Sequence, residues 1–355
     1  AHIIATSDTQ KFNDLPFRKV PRDGYIPLTF SQERVWFLHQ LNPRNLAYNF
    51  ICTLTLNGRL DFKALETTLS EILRRHESYR TTFPTVDGRP VQIIHPATDY
   101  KLNVIDLSDK SPDKQKEKAD EWCQKEYQHR FDLAQPPLVR WTLLRYSDEH
   151  SVLVHMEHHL VHDGWAFNLF IREFVALYNA FTAGKPSPLD EPPIQLAEFA
   201  VWQHEWMQGD VSNHQLEYWK EKFKTIPPVI EMPIKGARPP SQTFRGTSLR
   251  PEIPLGDCNG LRALSKKEGS TLFMTMLAGF SALLHRYTGE PDIAVGTFFA
   301  NRRKFESESV VGMILNNVVI RTALDKDPTV RDLIHQVRNV VLEDSSYQDV
   351  PFDRV

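Results

Sequence analysis

The sequence is short of cysteine, of long apolar runs and of net charge, and each shortage excludes a class of protein. Its three cysteines, Cys52, Cys123 and Cys258, are widely separated, so they offer neither a disulfide framework nor the paired spacing of a zinc site. No stretch approaches the roughly 18 consecutive apolar residues of a membrane span. A net charge of −3 and a pI of about 6.6 argue against a surface for nucleic acid or for anionic membranes.

The N-terminal stretch, residues 1–12, is polar and lacks the apolar core of a signal peptide. Together with the isolated cysteines, it favours a cytoplasmic setting in which thiols stay reduced. The chain has 355 residues, of which 41% are hydrophobic and 25% charged, an ordinary globular composition at the length of two domains. Residues 185–193 contain four prolines and are the best candidate for a linker. We therefore expect a first lobe at 1–184 and a second at 194–355.

Both halves of the chain mix predicted strands with predicted helices. β-prone or alternating runs predict strands at 47–56, 90–95, 101–106, 138–146, 151–159, 247–253, 292–299 and 313–322. Apolar spacing of three and four residues predicts helices at 62–73, 111–130, 166–183, 194–208, 213–224, 257–287 (a pair) and 328–344. Asp61 is the expected cap of the first helix, and Gly184 the expected stop after the third. Residues 1–25 resemble an irregular lead-in, and the fold class is α/β, of the α+β type.

One run, residues 156–165, carries more chemistry than the rest, because it contains His158-His159-x-x-x-Asp163-Gly164. It lies where a predicted strand ends and a helix begins, a place where side chains reach a cleft. An imidazole has an unperturbed pKa of about 6.5, which suits proton transfer near neutral pH. Side chains alternate along a strand, so His158 and His159 point to opposite faces. We expect His159 to be a catalytic base and Asp163 to fix the loop.

Two other interpretations of this run stay open. In the first, the histidines are ordinary core or surface residues, which is the commoner role of a lone histidine. In the second, a metal ion is bound by the histidines at positions 155, 158, 159 and 162. Strand alternation places His155 and Glu157 on the face of His159 and separates His158 from them, and no cysteine or carboxylate cluster completes a ligand shell. We therefore expect no metal site.

Five short segments besides this run match the motifs of one protein family, in the family's order. They are Leu28–Leu38, Arg75–Phe83, Phe199–Gln203, Val311–Asn317 and Gln348–Asp353. With them the chain, from about residue 25 to its end, resembles the condensation domains of nonribosomal peptide synthetases, which belong to the chloramphenicol-acetyltransferase-like superfamily. The family usually has Ser, Ala, Leu and Thr where this chain has Thr29, Ser31, Tyr79 and Asn317.

The resemblance implies two chloramphenicol-acetyltransferase-like lobes set in a V, with a tunnel between them. The family's last motif contains Arg-Asn-Pro and does not occur before Val355, so the second lobe is expected to be incomplete. It further implies an acyltransferase that forms an amide bond. An acyl group would move from a thioester on an upstream donor carrier protein to the amine of an aminoacyl group on a downstream acceptor carrier protein.

The same resemblance implies that the domain binds no cofactor of its own. The phosphopantetheine arms belong to its partners, the carrier proteins, and adjacent synthetase domains are the other expected partners. Neither nucleic acid nor a membrane is expected to bind. The excised domain is expected to be a monomer.

The resemblance also assigns roles to the catalytic signature. His159 takes a proton from the attacking amine or holds that amine by a hydrogen bond. His158 belongs to the same signature. Gly164 lets the chain bend into the helix without a Cβ in the way, and the amides at the helix start are candidates to face an oxyanion.

Three further site residues follow from the resemblance. Asp163 is expected to form an ion pair with Arg302, which ends a segment, 296–302, similar to the family's Gly-Thr-Pro-x-x-x-Arg pattern. Removal of one member of a buried pair costs roughly 3–5 kcal/mol, so this pair is expected to be structural. Trp165 and Asn316 are candidates to line the substrate tunnel.

Other functions within and outside the family carry different sequence features. Heterocyclising domains replace the histidine pair with an Asp-rich motif, epimerisation domains differ just after the aspartate, and dual epimerising domains carry a second His-rich motif. The run from Glu157 to Trp165 is reminiscent of starter-type domains, whose donor is a fatty acyl group. Two alternatives are a non-catalytic domain of the same fold that recruits partners, and a free-standing N-acyltransferase that uses acyl-CoA. The intact histidine signature disfavours the non-catalytic domain.

The remaining motif residues have structural interpretations. Trp202 and Trp206, four residues apart on a predicted helix, are expected to be buried packing, as are Trp36 and Phe37. Two arginines are expected to brace the fold through ion pairs rather than contact substrate: Arg75 and Arg80.

Overall fold

The computed structural model describes residues 15–234, 236–237 and 246–355, and these form two compact units. The predicted lead-in at 1–25 lies outside the described residues as far as residue 14. From residue 15 to residue 29 the chain contains neither helix nor strand.

The first unit consists of the described residues up to 208 together with 302–315, and the second of the described residues within 209–301 and 316–355. The first unit therefore includes the predicted linker, the helix that follows it, and a segment that the sequence assigned to the second lobe. That segment is assigned to the first unit because its contacts are made there.

The first unit contains eight strands and five α-helices among its described residues. The strands are β1 (Asn49–Asn57), β2 (Thr81–Thr82), β3 (Thr85–Val86), β4 (Arg89–Pro90), β5 (Ile93–Ile94), β6 (Asn103–Asp106), β7 (Val139–Arg145) and β8 (His150–His158). The helices are α1 (Phe30–Leu41), α2 (Phe62–Arg75), α3 (Pro112–Tyr127), α4 (Gly164–Thr182) and α5 (Leu196–Trp206). Two 3₁₀ helices are at Glu77–Arg80 and Phe305–Ser309.

The main sheet has the strand order β1-β8-β7-β6, and only the β6–β7 pair is parallel. The predicted hairpin β7–β8 is confirmed and forms its centre. At the end of β8, His158 lies opposite Asn49 of β1. The N–H of His159 then donates to the carbonyl oxygen of Tyr48 at 2.8 Å. Strand pairing thus fixes the backbone up to the first residue of the loop.

The main core of the first unit lies between this sheet and helices α2 and α4. Leu65 and Ile72 of α2 pack with Phe170 and Leu177 of α4 and with Leu153 of β8, and all five side chains are fully buried. Burial of apolar surface is worth roughly 25 cal/mol per Å². This packing fixes the start of α4 relative to the end of β8.

Helix α4 begins and ends at residues that the sequence marks. The Oδ1 atom of Asp163 accepts a hydrogen bond from the N–H of Ala166 at 3.0 Å and so caps the helix. Gly184 follows the helix with a φ of +66°, in the left-handed region that glycine adopts without strain. Because Asp163 caps the helix, α4 begins at Gly164, two residues before the predicted start at residue 166.

The second unit contains four α-helices and a two-stranded antiparallel sheet among its described residues. They are α6 (Asp210–Lys222), α7 (Leu255–Lys267), α8 (Leu272–Thr288), β9 (Asp292–Phe299), β10 (Asn316–Ala323) and α9 (Val330–Ser346), followed by a 3₁₀ helix at Phe352–Arg354. Trp219 of α6, Ile293 of β9, Val318 of β10 and Val337 of α9 form its buried centre.

Three structural predictions were wrong or incomplete. Residues 247–253 form no strand, because no described segment pairs with them and side chains such as Leu249, 88% exposed, lie in solvent. Helix α1 was not predicted, although Thr29 and Gln32 form a capping box at its start. Phe37 on that helix is 56% exposed rather than buried.

Other predicted packing residues lie where they were expected. Trp202 and Trp206 are buried, and Trp36 is half-buried against the core and donates from Nε1 to the carbonyl oxygen of Phe83 at 3.0 Å. The Nη2 atom of Arg80 lies 3.8 Å from Glu77, on the same turn.

Along the described ranges, no helix is both long and apolar enough to cross a bilayer. The thiols of all three cysteines are free and half-buried.

A buried ion-pair network joins the end of α2 to α4. Arg75 Nε lies 2.9 Å from the Oε2 atom of Glu173, and His76 Nε2 lies 2.8 Å from the same oxygen. Burial disfavours the charged carboxylate, but the hydrogen bonds and charges of His76 and Arg75 outweigh it, and the pKa of Glu173 falls to about 2. Arg75 therefore braces the fold, as the sequence predicted.

This shift makes the contribution of Glu173 to stability depend on pH. The folded-state pKa lies below the ordinary value, so the contribution is complete above about pH 4.5 and is lost as the pH falls towards 2. We expect Glu173→Gln to lower the free energy of unfolding by about 3 kcal/mol at pH 7, and the deficit to shrink steadily below pH 4.5. Urea unfolding of both proteins between pH 7 and pH 3 measures this.

The matched control is Glu205→Gln, which replaces an exposed glutamate on α5. It should leave the free energy of unfolding and its pH dependence unchanged. If wild type and Glu173→Gln differ by a constant free energy of unfolding across this pH range, stability does not depend on the ionisation of Glu173 and the prediction is wrong.

Candidate active site

The signature residues lie in a five-residue connection between β8 and α4, two elements that the core holds in place. His158 is the last residue of β8 and Gly164 the first of α4. Between them, His159 is half-buried, whereas His162 and Asp163 are almost fully buried. The connection therefore exposes the His159 imidazole and buries the side chains that support it.

The position of the His159 ring is set by two contacts within the connection. Its Nδ1 atom lies 3.0 Å from the carbonyl oxygen of His162. A carbonyl can only accept, so Nδ1 carries the hydrogen, and in the neutral ring Nε2 holds the lone pair. The ring also stacks on that of His162, with centroids 4.7 Å apart and planes 21° from parallel. This is the tautomer that a base acting through Nε2 requires.

His158 lies on the other face of the strand, as alternation predicted. Its ring is buried against those of His39, Tyr48 and Phe131, with centroids 5.4, 6.3 and 6.0 Å away. Its Nδ1 atom accepts from the N–H of Leu160 at 3.3 Å. Burial lowers the pKa of His158 to about 3, with a smaller effect from neighbouring histidines. His158 is therefore a neutral packing residue that shapes the turn.

Asp163 uses both carboxylate oxygens. Arg302 donates from Nη1 to Oδ2 at 2.9 Å and from Nη2 to Oδ1 at 3.0 Å, a two-point pair in which both side chains are buried. Oδ1 also caps α4 through Ala166, and Oδ2 accepts from the N–H of Ile314 at 3.2 Å. The structure thus brings together the pair of residues that the sequence singled out, 139 positions apart.

The segment 302–315 is held in the first unit by more than this ion pair. Thr29 Oγ1 donates to the carbonyl oxygen of Met313 at 2.8 Å, and Ser78 Oγ donates to that of Val311 at 2.6 Å. Thr29 stands where the family usually has serine, and it keeps the hydroxyl group that this bond needs. Both donors belong to family motifs, so the motifs here position one another.

The structure does not support the predicted role of Gly164 in allowing a backbone bend. Its φ is not positive, and a Cβ built on it would meet no atom of the chain within 4 Å. The glycine in this region that the fold does require is Gly312, where a Cβ would lie 2.6 Å from Leu196 Cδ1 and the φ is +154°. Neither backbone conformation nor packing among the described residues therefore requires a glycine at position 164.

Trp165 braces the ion pair. Its Nε1 atom donates to the carbonyl oxygen of Glu308 at 2.9 Å, and the Arg302 guanidinium lies 5.7 Å from its ring centroid. The side chain is 39% exposed. The sequence did not predict this bracing role, and contact with substrate stays a prediction.

Asn316 belongs to the second unit and is buried there. Its Nδ2 atom donates to the carbonyl oxygens of Gln348 and Val350, both at 2.7 Å. Both amide hydrogens thus join β10 to the motif at 348–353. That Asn316 lines the substrate tunnel stays a prediction.

Three buried residues next to His159 have no role predicted from the sequence: His155, Glu157 and His162. Glu157 Oε1 lies 3.0 Å from His162 Nδ1 and 2.6 Å from His155 Nε2. Strand alternation is the sequence pattern that could have identified two of them, because it places His155 and Glu157 on the same face of the strand as His159. Along the described ranges, no group of three His, Cys, Asp or Glu side chains is arranged to hold a metal ion.

The Asp163–Arg302 pair gives a direct prediction for stability. Asp163→Ala removes the carboxylate that pairs with the buried Arg302 guanidinium, removes the cap of α4 and should lower the free energy of unfolding by about 3–5 kcal/mol. Chemical denaturation at pH 7 measures the change. Glu121→Gln breaks an exposed pair with Lys118 and is the control, expected to change stability negligibly. An unchanged unfolding midpoint in Asp163→Ala would contradict a structural role.

Comparison with known proteins gives the family. A profile described as "Condensation domain" matches residues 22–355. The chain is 40% identical over 340 residues to chondramide synthase cmdD of Chondromyces crocatus, a match that covers 96% of this chain and 9% of that protein. Another relative, gramicidin S synthase 2 of Brevibacillus brevis, is 30% identical over 355 residues, 8% of its length. The chain thus spans a small part of these relatives.

Solved structures agree with the profile. The X-domain from teicoplanin biosynthesis has a TM-score of 0.81 and 26% identity, and the match covers 96% of this chain and 74% of that one. That X-domain is also known in a complex with OxyB. SgcC5 from Streptomyces globisporus has a TM-score of 0.75 and 28% identity, covering 92% and 75%. The chain, with its mixed helices and strands of the chloramphenicol-acetyltransferase-like type, belongs to the condensation-domain family of nonribosomal peptide synthetases.

Proposed function

We propose that this domain forms an amide bond between two carrier-bound groups. The donor is an acyl group held as a thioester on the phosphopantetheine arm of a carrier protein. The acceptor is the amine of an aminoacyl group on a second carrier protein. Adjacent synthetase domains would supply both carriers. The observation that carries the proposal is the half-buried His159 ring, whose Nδ1–H is committed to the His162 carbonyl and whose Nε2 lone pair is left for an amine.

The reaction balances without a cofactor. The amine nitrogen attacks the thioester carbonyl carbon, a C–N bond forms and the C–S bond breaks. Nε2 of His159 takes one proton from the nitrogen and returns it to the departing thiolate, so the products are an amide and a thiol. A base of this kind contributes typically 10²–10⁴-fold to the rate.

Positioning of the two substrates is the larger contribution. Alignment of amine and thioester in one site removes the entropy of a bimolecular encounter, an effect worth about 7–11 kcal/mol. The residues around His159 fit that task, because the loop is fixed at one end by strand pairing and at the other by the Asp163 cap. The open space beside Gly164 offers room for the reacting groups.

The finer proposal is that the donor is a fatty acyl group. It rests on the run from Glu157 to Trp165, which resembles that of starter-type domains. A comparison of octanoyl-loaded with aminoacyl-loaded donor carrier protein tests it. Faster transfer of the aminoacyl group would assign the domain to the elongating type.

An alternative function has one observation in its favour. A solved relative, the X-domain of teicoplanin biosynthesis, is known in a complex with OxyB, so a domain of this fold can bind another protein. A recruiting domain would bind a partner and transfer no acyl group. A free-standing transferase would instead convert acyl-CoA and a soluble amine without carrier proteins.

The test is a transfer assay with acylated donor carrier and aminoacylated acceptor carrier, read by mass spectrometry of the acceptor. Both donor types and several amino acids serve as substrates. His159→Ala should lower kcat by about 10²–10⁴-fold for the pair that reacts. A residual rate should remain, because positioning does not depend on the base.

His150→Ala is the matched control, because His150 starts the same strand at its other end and is accessible to solvent. It should transfer at the wild-type rate. Equal rates for His159→Ala and wild type would contradict the proposed role, as would complete loss of acceptor binding in His159→Ala. Transfer from acyl-CoA to a free amine at the same rate would favour the free-standing enzyme.

A further inference from the structure

A buried carboxylate that contacts imidazoles stands behind His159. The Glu157 side chain is fully buried on β8, and among the described residues its ion-pair contacts are two imidazoles, His155 and His162. A buried charge is costly unless donors surround it. Glu157 is therefore a group that packing alone does not explain.

The tautomer of His155 can be assigned from its neighbour. Trp141 donates from Nε1 to His155 Nδ1 at 2.7 Å. The indole nitrogen is only a donor, so the hydrogen of the neutral His155 ring is on Nε2, which faces Glu157 Oε1 at 2.6 Å. The His155 N–H thus lies against the carboxylate on the strand side, as a close polar contact and not as an aligned hydrogen bond.

The second contact of the carboxylate leads to the reacting ring. His162 Nδ1 lies 3.0 Å from the same Oε1 atom. Burial lowers the pKa of His162 to about 4, with Glu157 opposing this, so the ring is neutral at pH 7. Its contact with the carboxylate is a close polar approach without an aligned hydrogen bond. Burial also disfavours the charged form of Glu157, but the adjacent His155 and His162 outweigh it and hold the pKa of Glu157 below its ordinary value.

The His162 ring is held on its faces as well. Phe50 of β1 lies on one side, with centroids 4.7 Å apart, and His159 stacks on it at the same distance. The backbone carbonyl of His162 accepts from His159 Nδ1. A contact that holds the His162 ring therefore also holds the plane of the His159 ring stacked on it, and with that plane the direction of the His159 Nδ1–H towards the His162 carbonyl oxygen.

We propose that Glu157 is a positioning residue: its Oε1 atom holds the His162 ring by a close polar contact, and that ring, by stacking, keeps the His159 Nδ1–H directed at the His162 carbonyl oxygen and leaves Nε2 without a hydrogen. This inference rests on the proposed function for the use of that nitrogen, but its structural part does not. The contact requires an oxygen atom at the position of Oε1. Glutamine at position 157 keeps that oxygen, whereas leucine removes it.

The test measures the His159 tautomer in the full chain, labelled with ¹⁵N-histidine, by long-range ¹H–¹⁵N correlation at pH 7.5. His159 signals are identified by their loss in His159→Ala. Wild type and Glu157→Gln should show hydrogen on Nδ1. Glu157→Leu and His162→Phe, which keeps a stacking ring without Nδ1, should each show a mixture of both tautomers.

Kinetics give the second readout once a reacting substrate pair is known. Glu157→Leu and His162→Phe should each lower kcat by about 10–100-fold with KM within about twofold, a size typical of partners that orient a catalytic group. The double variant should be no slower than the slower single one, because the two side chains act as one unit. Glu157→Gln should retain kcat within about threefold.

The matched control is Glu173→Gln, which removes another buried glutamate that contacts a histidine in the same unit. It should lose stability yet keep the wild-type His159 tautomer. If Glu157→Leu does not fold, His162→Phe carries the test. A wild-type tautomer in every folded variant overturns the proposal, and this result needs no substrate, so it is distinct from a failure of the transfer assay.

Discussion

The carboxylate of Asp163 is the group on which the arrangement around His159 depends. It accepts four hydrogen bonds: one from Ala166, two from Arg302 and one from Ile314. The first fixes the start of α4, and the others hold a segment more than 130 residues away in the chain. Replacement of such a group leaves several donors buried without an acceptor, and each carries a desolvation cost of about 1–3 kcal/mol. The aspartate thus fixes where the loop that carries His159 ends.

Burial distinguishes the two neighbouring histidines of the run, His158 and His162, from the half-buried His159. It keeps these two neutral, with the pKa of His158 at about 3 and that of His162 at about 4. The charge of Asp163 is compensated by Arg302. A proton released by an attacking amine therefore has one accessible imidazole of this run to go to. Under the proposed function, a run of several histidines thus provides a single base.

The sequence predicted those features that depend on local patterns. Alternation and helical spacing gave the hairpin and helix α4, and the signature gave His159. It failed where the outcome depends on distant partners: residues 247–253 are β-prone but no described strand pairs with them, and the arginine that pairs with Asp163 was found by family resemblance rather than by pattern. Two further sequence patterns mark features of the structure that were not predicted. Thr29-x-x-Gln marks the start of α1, and the face shared by Glu157 and His159 marks a contact behind the base.

Three buried carboxylates of the first unit differ in the side chains that pair with them, and the difference follows their proposed roles. Asp163 pairs with Arg302, and Glu173 pairs with Arg75 as well as with His76. An arginine remains charged at any pH at which the protein folds, so it fixes an adjacent carboxylate permanently. The ion-pair contacts of Glu157 among the described residues are imidazoles, whose hydrogens have to be oriented by further partners. Replacement of a buried ionic contact by apolar residues of similar volume is often neutral for stability, so stability alone does not account for that arrangement. Of these three carboxylates, the one that contacts imidazoles instead of an arginine is the one whose neighbour, His162, stacks on the His159 ring.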